Sequence, residues 1–301
     1  MIRFEGVSKT YTTLVTRKKV AALADFSLEL NRGEVVGIAG PNGAGKSTLI
    51  SLLLGFLRPS SGQVSIDGMT ARDYVESRGV GYLTELVNVP GNLRVPDALG
   101  RIAVLAGIPR HQRATAVLEV MSRLGLDEHA SKRVKQLSKG NLQRLGLGQA
   151  MLGDYEVMVL DEPTHGLDPV WTARFRDIVR ELRRPDRVVL IASHNLDELE
   201  ALSDRVAILD RGRLQQVVSA AAVTHADAIN WRIVFEGEPD VTAMLPGSAP
   251  IEGRPGSWRV TMTRAELSRG LGELLRDGAV LVECAPEEGR LSSVFHEAVG
   301  R

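Results

Sequence analysis

Gly40-Pro41-Asn42-Gly43-Ala44-Gly45-Lys46-Ser47-Thr48 is the stretch whose reading decides the fold. It satisfies the phosphate-loop pattern G-x-x-x-x-G-K-[ST]. The apolar run Val35-Val36-Gly37-Ile38-Ala39 precedes it, and a helix-like run from Lys46 to Leu54 follows. Strand, loop and helix are the context that this pattern needs. Gly40, Gly43 and Gly45 permit a sharp bend, so the successive N–H groups of Asn42, Gly43, Ala44 and Gly45 can point inward at a phosphate chain. A helix that opens near Gly45 aims its positive dipole end at the same anion. Lys46 is placed to reach the β- and γ-phosphates, Ser47 to ligate Mg²⁺, and Thr48 to add a donor nearby. The bland alternative is a glycine-rich turn before a buried helix. The flanking strand and helix weigh against it.

Working outward, the 301 residues suffice for one large α/β domain and a smaller one. The 37 basic and 37 acidic side chains cancel, so charge gives no pull towards nucleic acid, and none is expected as a partner. Hydrophobic residues make up 44%, enough for a sizeable core. Cys284 is the one cysteine, so no internal disulfide forms, and a strand filler is its simplest role. Met1 to Glu5 lacks a basic-then-apolar leader pattern, and no apolar run approaches 18 residues. We therefore expect a chain that is soluble by itself and reaches a membrane only through a partner.

Residues 2–5 and 26–30 read as short strands, with Tyr11 in the loop between them. Phe26, Leu28 and Leu30 alternate with polar residues at the strand period. Val64 and Ile66 lead to an Asp67-Gly68 hairpin signal, and Gly79 to Leu83 reads as another strand. From about Pro96 to Leu152 the periodicity turns helical: Ala98, Leu99, Ile102 and Leu105, then Val117, Leu118, Met121 and Leu124. Buried-type strands return at Val157–Leu160, Arg187–Ala192 and Arg205–Leu209, with a helix from Val170 to Leu182. The composition shifts again near Ala220, where Ser219 to Ala226 reads as a boundary helix or linker. Alternating strands at 229–235 and 258–262, a capping box at Thr263 opening a helix to about Leu275, a strand from Ala279 to Cys284 and a helix from Ser292 to Val299 follow. A Pro/Gly-rich loop, Gly247 to Gly256, sits in their midst. The fold class is thus α/β: a phosphate-loop NTPase core with a mixed, mainly parallel sheet at 1–86 and 151–220, an inserted helical subdomain at 87–150, and a small α+β domain at 221–301.

A phosphate loop alone fits a kinase, a GTPase or a transport ATPase. Later motifs decide. Val157 to Leu160 ends in Asp161-Glu162, with Asp161 placed for Mg²⁺ and Glu162 for an attacking water as general base. Pro163-Thr164-His165-Gly166-Leu167-Asp168-Pro169 follows at once. Here the chain resembles the ATP-binding subunit of ABC transporters over roughly residues 1–218. Leu137-Ser138-Lys139-Gly140-Asn141 is similar to the family signature, Leu160 to Thr164 to its second nucleotide motif, Gly166-Leu167-Asp168 to its D-loop, His194 to its switch histidine, and Tyr11 to its adenine-stacking aromatic.

The resemblance implies ATP and Mg²⁺ as ligands. It implies that Ser138 and the Gly140 N–H bind the γ-phosphate held by a second ATPase subunit, in a head-to-tail dimer of identical copies. Asp168 then bridges the two copies, and His194 holds the water and Glu162. His165 is assigned no role. Two departures stand out: Lys139 and Asn141 within the signature, and Glu85 where the family has a Mg²⁺-contacting glutamine. The expected function is ATP hydrolysis driving transport at the cytoplasmic face of the membrane, through integral permease subunits. The Ser-Lys-Gly signature and the tail Leu291 to Glu297 resemble exporter-type members, which favours export. The rival is a soluble member of the same superfamily acting on ribosomes or DNA. The single phosphate loop and the short spacing from Lys46 to Ser138 argue against it. A GTPase lacks support because no Asn-Lys-x-Asp motif is present, and Glu162 speaks against a binding module without turnover.

Overall fold

The structure, a computed structural model, describes residues 1–12, 19–219, 229–237, 239–251, 253–286 and 290–300. It divides into two compact units, Met1–Val218 and Ser219–Arg301.

In the first unit, β1 (Ile2–Thr12) and β2 (Lys19–Leu30) form a long antiparallel ladder. Both exceed the short strands that the sequence suggests. The register shifts after Phe4, after Val7 and after Lys9, and Gly6 and Asp25 take φ of 57° and 52° at these bulges. Each bulge inserts a residue and breaks the two-residue alternation, so the outer half of the ladder is hidden from a pattern search. Tyr11 is therefore a strand residue opposite Val20, not a loop residue.

β3 (Val35–Ala39) and α1 (Lys46–Leu53) flank the phosphate loop. β4 (Ser61–Ile66) turns into β5 (Met69–Thr70) through Asp67-Gly68, both at positive φ as a tight hairpin requires. Thr70 caps α2 (Ala71–Arg78), and Gly79 ends that helix at φ 73°, so β6 covers only Gly81–Leu83. Helices α3 (Val95–Leu105), α4 (Arg113–Arg123) and α5 (Lys139–Met151) come next. Among the described residues no strand interrupts them. Leu105 and Leu118, read as part of their apolar stripes, are exposed. Then come β7 (Val157–Asp161), α6 (Pro169–Leu182), β8 (Val188–Ser193), α7 (Leu196–Leu202), β9 (Arg205–Asp210) and β10 (Arg213–Ser219). The sequence reading missed β10 altogether. The expected boundary segment after Ser219 lies outside the described residues.

Two sheets result, ordered β2-β1-β4-β5 and β10-β9-β3-β8-β7-β6. In the second, β9-β3, β3-β8, β8-β7 and β7-β6 are parallel pairs. Every residue of β3, β7 and β8 is buried, which is why these strands are continuous apolar runs. Their register fixes the site: Ala39 pairs with Ser193, and Asp161 with Ala192. The carboxyl ends of three adjacent strands thus converge, the usual place for a ligand crevice in such a sheet. The core beneath packs Phe4 edge-on against Phe26, with Leu49, Leu52 and Leu53 of α1 buried in the same cluster.

The second unit is an antiparallel sheet ordered β12-β13-β11-β14, made of β11 (Ile229–Phe235), β12 (Ala249–Pro250), β13 (Ser257–Met262) and β14 (Leu281–Pro286). β12 falls inside the stretch read as a loop. Helix α8 (Arg264–Arg276) opens with the expected capping box at Thr263 and Glu266, and α9 spans Arg290–Val299. Trp231, Ile233, Phe235 and Val260 fill its core, with Cys284 packed at the margin.

Candidate functional site

The phosphate loop is shaped by steric necessity. Gly43 and Gly45 sit at φ 82° and 110°. A side chain on Gly40 would fall 2.7 Å from the Leu209 carbonyl oxygen, and one on Gly45 2.6 Å from that of Ala22. Only glycine lets the loop pass here. The Lys46 ammonium is buried and donates to the Gly40 carbonyl at 2.6 Å. Lysine brings three donors, so one anchors the side chain to its own loop and two remain for phosphate.

Around this loop lies a cleft of about 300 Å³, lined by Ala22, by Pro41 through Thr48, and by Glu85, Asp161 and Glu162. Asn42, Gly43, Ala44, Gly45, Ser47 and Thr48 all face it, as the pattern predicts. Burial first, then the nearby charges of Glu85 and Glu162, pushes the Asp161 carboxyl up to about 6, against the pull of Lys46. A buried carboxylate so short of positive charge is matched to a cation. Ser47 and Glu85, the other residues expected to hold Mg²⁺, line the same cleft. Among the described residues no group of three or more His, Cys, Asp or Glu side chains forms a cage. A sparse donor set fits Mg²⁺, which keeps waters and takes phosphate oxygens.

Glu162 is the strained residue of the site. Its φ is 47°, unfavourable for a side chain with a Cβ. The surroundings enforce it: its N–H donates to the Ala192 carbonyl at 2.8 Å, and its own carbonyl accepts from the His165 N–H and from Gln143 Nε2, both at 3.1 Å. Its carboxylate Oε2 lies 2.7 Å from His194 Nδ1 and 3.4 Å from Ser193 Oγ. With Glu162 ionised, Nδ1 carries the proton and donates it. Glu162 is buried while the His194 ring is 65% exposed, so its other edge faces outward.

The remaining predicted residues lie elsewhere. Ser138, Lys139, Gly140, Asn141, Gly166, Leu167 and Asp168 line a second pocket of about 260 Å³. Ser138 caps α5, accepting from the Asn141 N–H at 3.3 Å. A side chain on Gly140 would meet the Gly166 carbonyl oxygen at 2.8 Å. Asp168 caps α6 by accepting from the Trp171 N–H at 2.8 Å. His165 Nε2 lies 2.8 Å from Lys139 Nζ. Tyr11 lines neither pocket; it is 41% exposed, with Lys9 over its ring. One chain therefore holds two separate groups of candidate residues.

The sequence reading missed Gln143, which ties the signature helix to Glu162 and Pro163 carbonyls. It also missed Ser193 and Glu198 and gave Thr164, the last residue of the second nucleotide motif, no part of its own; the three are joined by hydrogen bonds behind Glu162. Ser193 could have been flagged by its place before His194. Glu198 looks like any acid on a surface helix, and only the fold buries it.

A family model described as ABC transporter matches residues 23–165. A methionine import ATP-binding protein of Caulobacter vibrioides is 36% identical over 82% of this chain and 76% of its own length. The chain belongs to the ABC transporter ATP-binding family. An uncharacterized ABC transporter ATP-binding protein of a Synechocystis strain is 36% identical over 77% of this chain. The matched part spans only 66% of that relative's length, about two thirds. A dimeric bacterial ABC transporter cassette superposes with a TM-score of 0.68 at 23% identity, covering 73% of this chain and 99% of that one. That likeness establishes the α/β cassette fold. Among the described residues no helix is long and apolar enough to cross a membrane.

Proposed function

We propose that this chain hydrolyses ATP as the nucleotide-binding subunit of an ABC transporter, working as a head-to-tail pair of copies. The carrying observation is the division of its chemistry. Lys46, Asp161, Glu162 and His194 gather at one cleft, while Ser138, Gly140 and Asp168 line another pocket. In this reading neither alone surrounds a triphosphate.

Lys46 and the loop N–H groups bind the phosphate tail. Ser47, Asp161 and Glu85 would hold Mg²⁺, which neutralises charge on the β- and γ-oxygens when bound. Glu162 takes the proton of the attacking water, and His194 fixes that carboxylate while its outer edge meets the γ-phosphate. Ser138 and the Gly140 N–H of the second copy close the site. Tyr11 stacks on adenine. Dimer closure and reopening are passed to integral membrane subunits at the cytoplasmic face of the membrane.

On direction two readings have support. The Leu291 to Glu297 tail and the Ser-Lys-Gly signature support export. The import function named for several relatives supports the reverse. Native purification from membranes, with identification of the integral subunits that co-purify, tests the whole reading. Membrane subunits carry it, whereas recovery with ribosomes or nucleoid alone overturns it. ATP-dependent filling of inside-out vesicles then selects export, and uptake by right-side-out vesicles selects import.

A further inference from the structure

Behind the catalytic carboxylate lies a second one that the mechanism above does not use. Glu198, on α7, is 1% exposed. Its Oε2 accepts from Thr164 Oγ1 at 2.7 Å and lies 3.3 Å from Ser193 Oγ. Its Oε1 is buried with no hydrogen-bond partner. Burial pushes its carboxyl above the ordinary range; hydrogen bonds from Thr164 and Ser193 oppose this, the charge of Glu162 adds to it, and Arg176 of α6 opposes it. A buried acid with an orphaned oxygen is an expensive core filler.

Ser193 stands between the two acids. Its oxygen accepts from the Asn195 N–H at 3.1 Å. The hydroxyl has one proton to give, and two acceptors are almost equidistant: Glu162 Oε2 at 3.4 Å and Glu198 Oε2 at 3.3 Å. Whichever carboxylate takes that proton leaves the other without it. Thr164, two residues beyond Glu162, is tied to the same Glu198 oxygen.

We propose that Glu198 is a positioning residue for hydrolysis: it competes with Glu162 for the Ser193 hydroxyl and anchors Thr164, and so sets the orientation and hydrogen bonding of the Glu162 carboxylate. When Glu198 holds the hydroxyl, Ser193 Oγ stays 3.4 Å from Glu162 Oε2, where with His194 it keeps that carboxylate from turning, and the remaining lone pairs of Glu162 face water. When Glu198 cannot accept, the Ser193 proton turns to Glu162 and blunts it as a base. This rests on the hydrolytic reading of the cleft.

The test uses the full chain and steady-state ATP hydrolysis, with nucleotide binding measured separately. Glu198→Gln keeps the shape but replaces an acceptor with an amide that can donate to Ser193. Ser193→Ala removes the intermediary. Each is expected to lower kcat about tenfold, with KM and nucleotide affinity within about twofold of wild type. The double variant should be slower than Ser193→Ala by no more than Thr164→Val alone is slower than wild type, because the rest of the Glu198 effect travels through that hydroxyl. Independent, multiplying losses in the double variant overturn the proposal, as does wild-type kcat in Ser193→Ala. A KM that rises in step with the fall in kcat also overturns it. If Glu198→Gln does not fold, Ser193→Ala decides by itself. A wild-type chain without any hydrolysis removes the enzymatic reading and this inference together; active wild type beside unaltered variants removes the inference alone.

Discussion

The two pockets of the first unit are built in opposite ways. The phosphate-loop cleft contains buried charge, with Lys46, Asp161 and Glu162 all nearly hidden, and backbone strain at Glu162. The signature pocket is exposed at Ser138, Lys139 and Asp168, and its polar groups are capped by their own helices. Buried unpaired charge is tolerated where a ligand completes it, and strain persists where many bonds enforce it. On the proposed function, the cleft is prepared for chemistry, whereas the signature pocket offers a helix N-terminus to a ligand that arrives with another molecule.

The largest expected effect breaks the cleft without touching the signature. Glu162→Gln should lower ATP turnover about a thousandfold while leaving nucleotide affinity intact. Gel filtration with ATP should then show a persistent dimer. Normal turnover in that variant would place the base elsewhere. The complementary change, Ser138→Arg, should cut turnover about a hundredfold by blocking closure. Calorimetry on this variant should still find a monomer that binds ATP as wild type does. Weakened monomer binding would mean that the two pockets are not independent half-sites.

A third prediction sharpens the contrast in charge. Between about pH 3.8 and 6 the Asp161 carboxyl, raised to about 6 by burial and by Glu85 and Glu162, holds a proton in the folded state that the unfolded chain has already released. The penalty is absent below the ordinary carboxylate pKa of about 3.8 and grows as pH rises to about 6. Asp161→Asn should therefore raise the melting temperature of the nucleotide-free protein at neutral pH by about 5 °C and leave it unchanged near pH 3.5. Mg²⁺ affinity of the wild type should fall about tenfold per pH unit below about 6, because the metal must displace that proton. An equal rise in melting temperature at both pH values would show a packing effect instead.

The cleft was legible because its residues are contiguous. Gly40 to Thr48 and Val157 to Glu162 carry their chemistry on single strands and the turns that follow, and the apolar runs before them announce buried parallel strands. What could not be read depends on contacts across the sequence. The bulges at Gly6 and Asp25 hid half of β1 and β2. Ser193 meets Glu162 only because β8 lies beside β7, and Glu198 is buried only because α7 folds back on that pair. Leu105 and Leu118 have helical spacing yet face outward, since periodicity tells which residues share a face and not what covers it.

The smallest effect concerns Tyr11, which belongs to neither pocket. It stands on β1, opposite Val20, and the same ladder continues to Ala22 at the margin of the cleft. Its ring is partly exposed, and the Lys9 ammonium lies 5.6 Å from the ring centroid. An aromatic face held this way is available for a flat base, and stacking contributes about 1 kcal/mol beyond contact area. Tyr11→Ala should raise the KM for ATP about fivefold and leave kcat unchanged, because adenine is gripped equally before and during hydrolysis. Tyr11→Phe should restore the wild-type KM, since the face and not the hydroxyl stacks. If the KM for ATP and for a triphosphate with a smaller base shift alike, or neither shifts, Tyr11 is a surface aromatic held by Lys9. Base recognition would then fall to other residues, and the cleft would read only the phosphate tail.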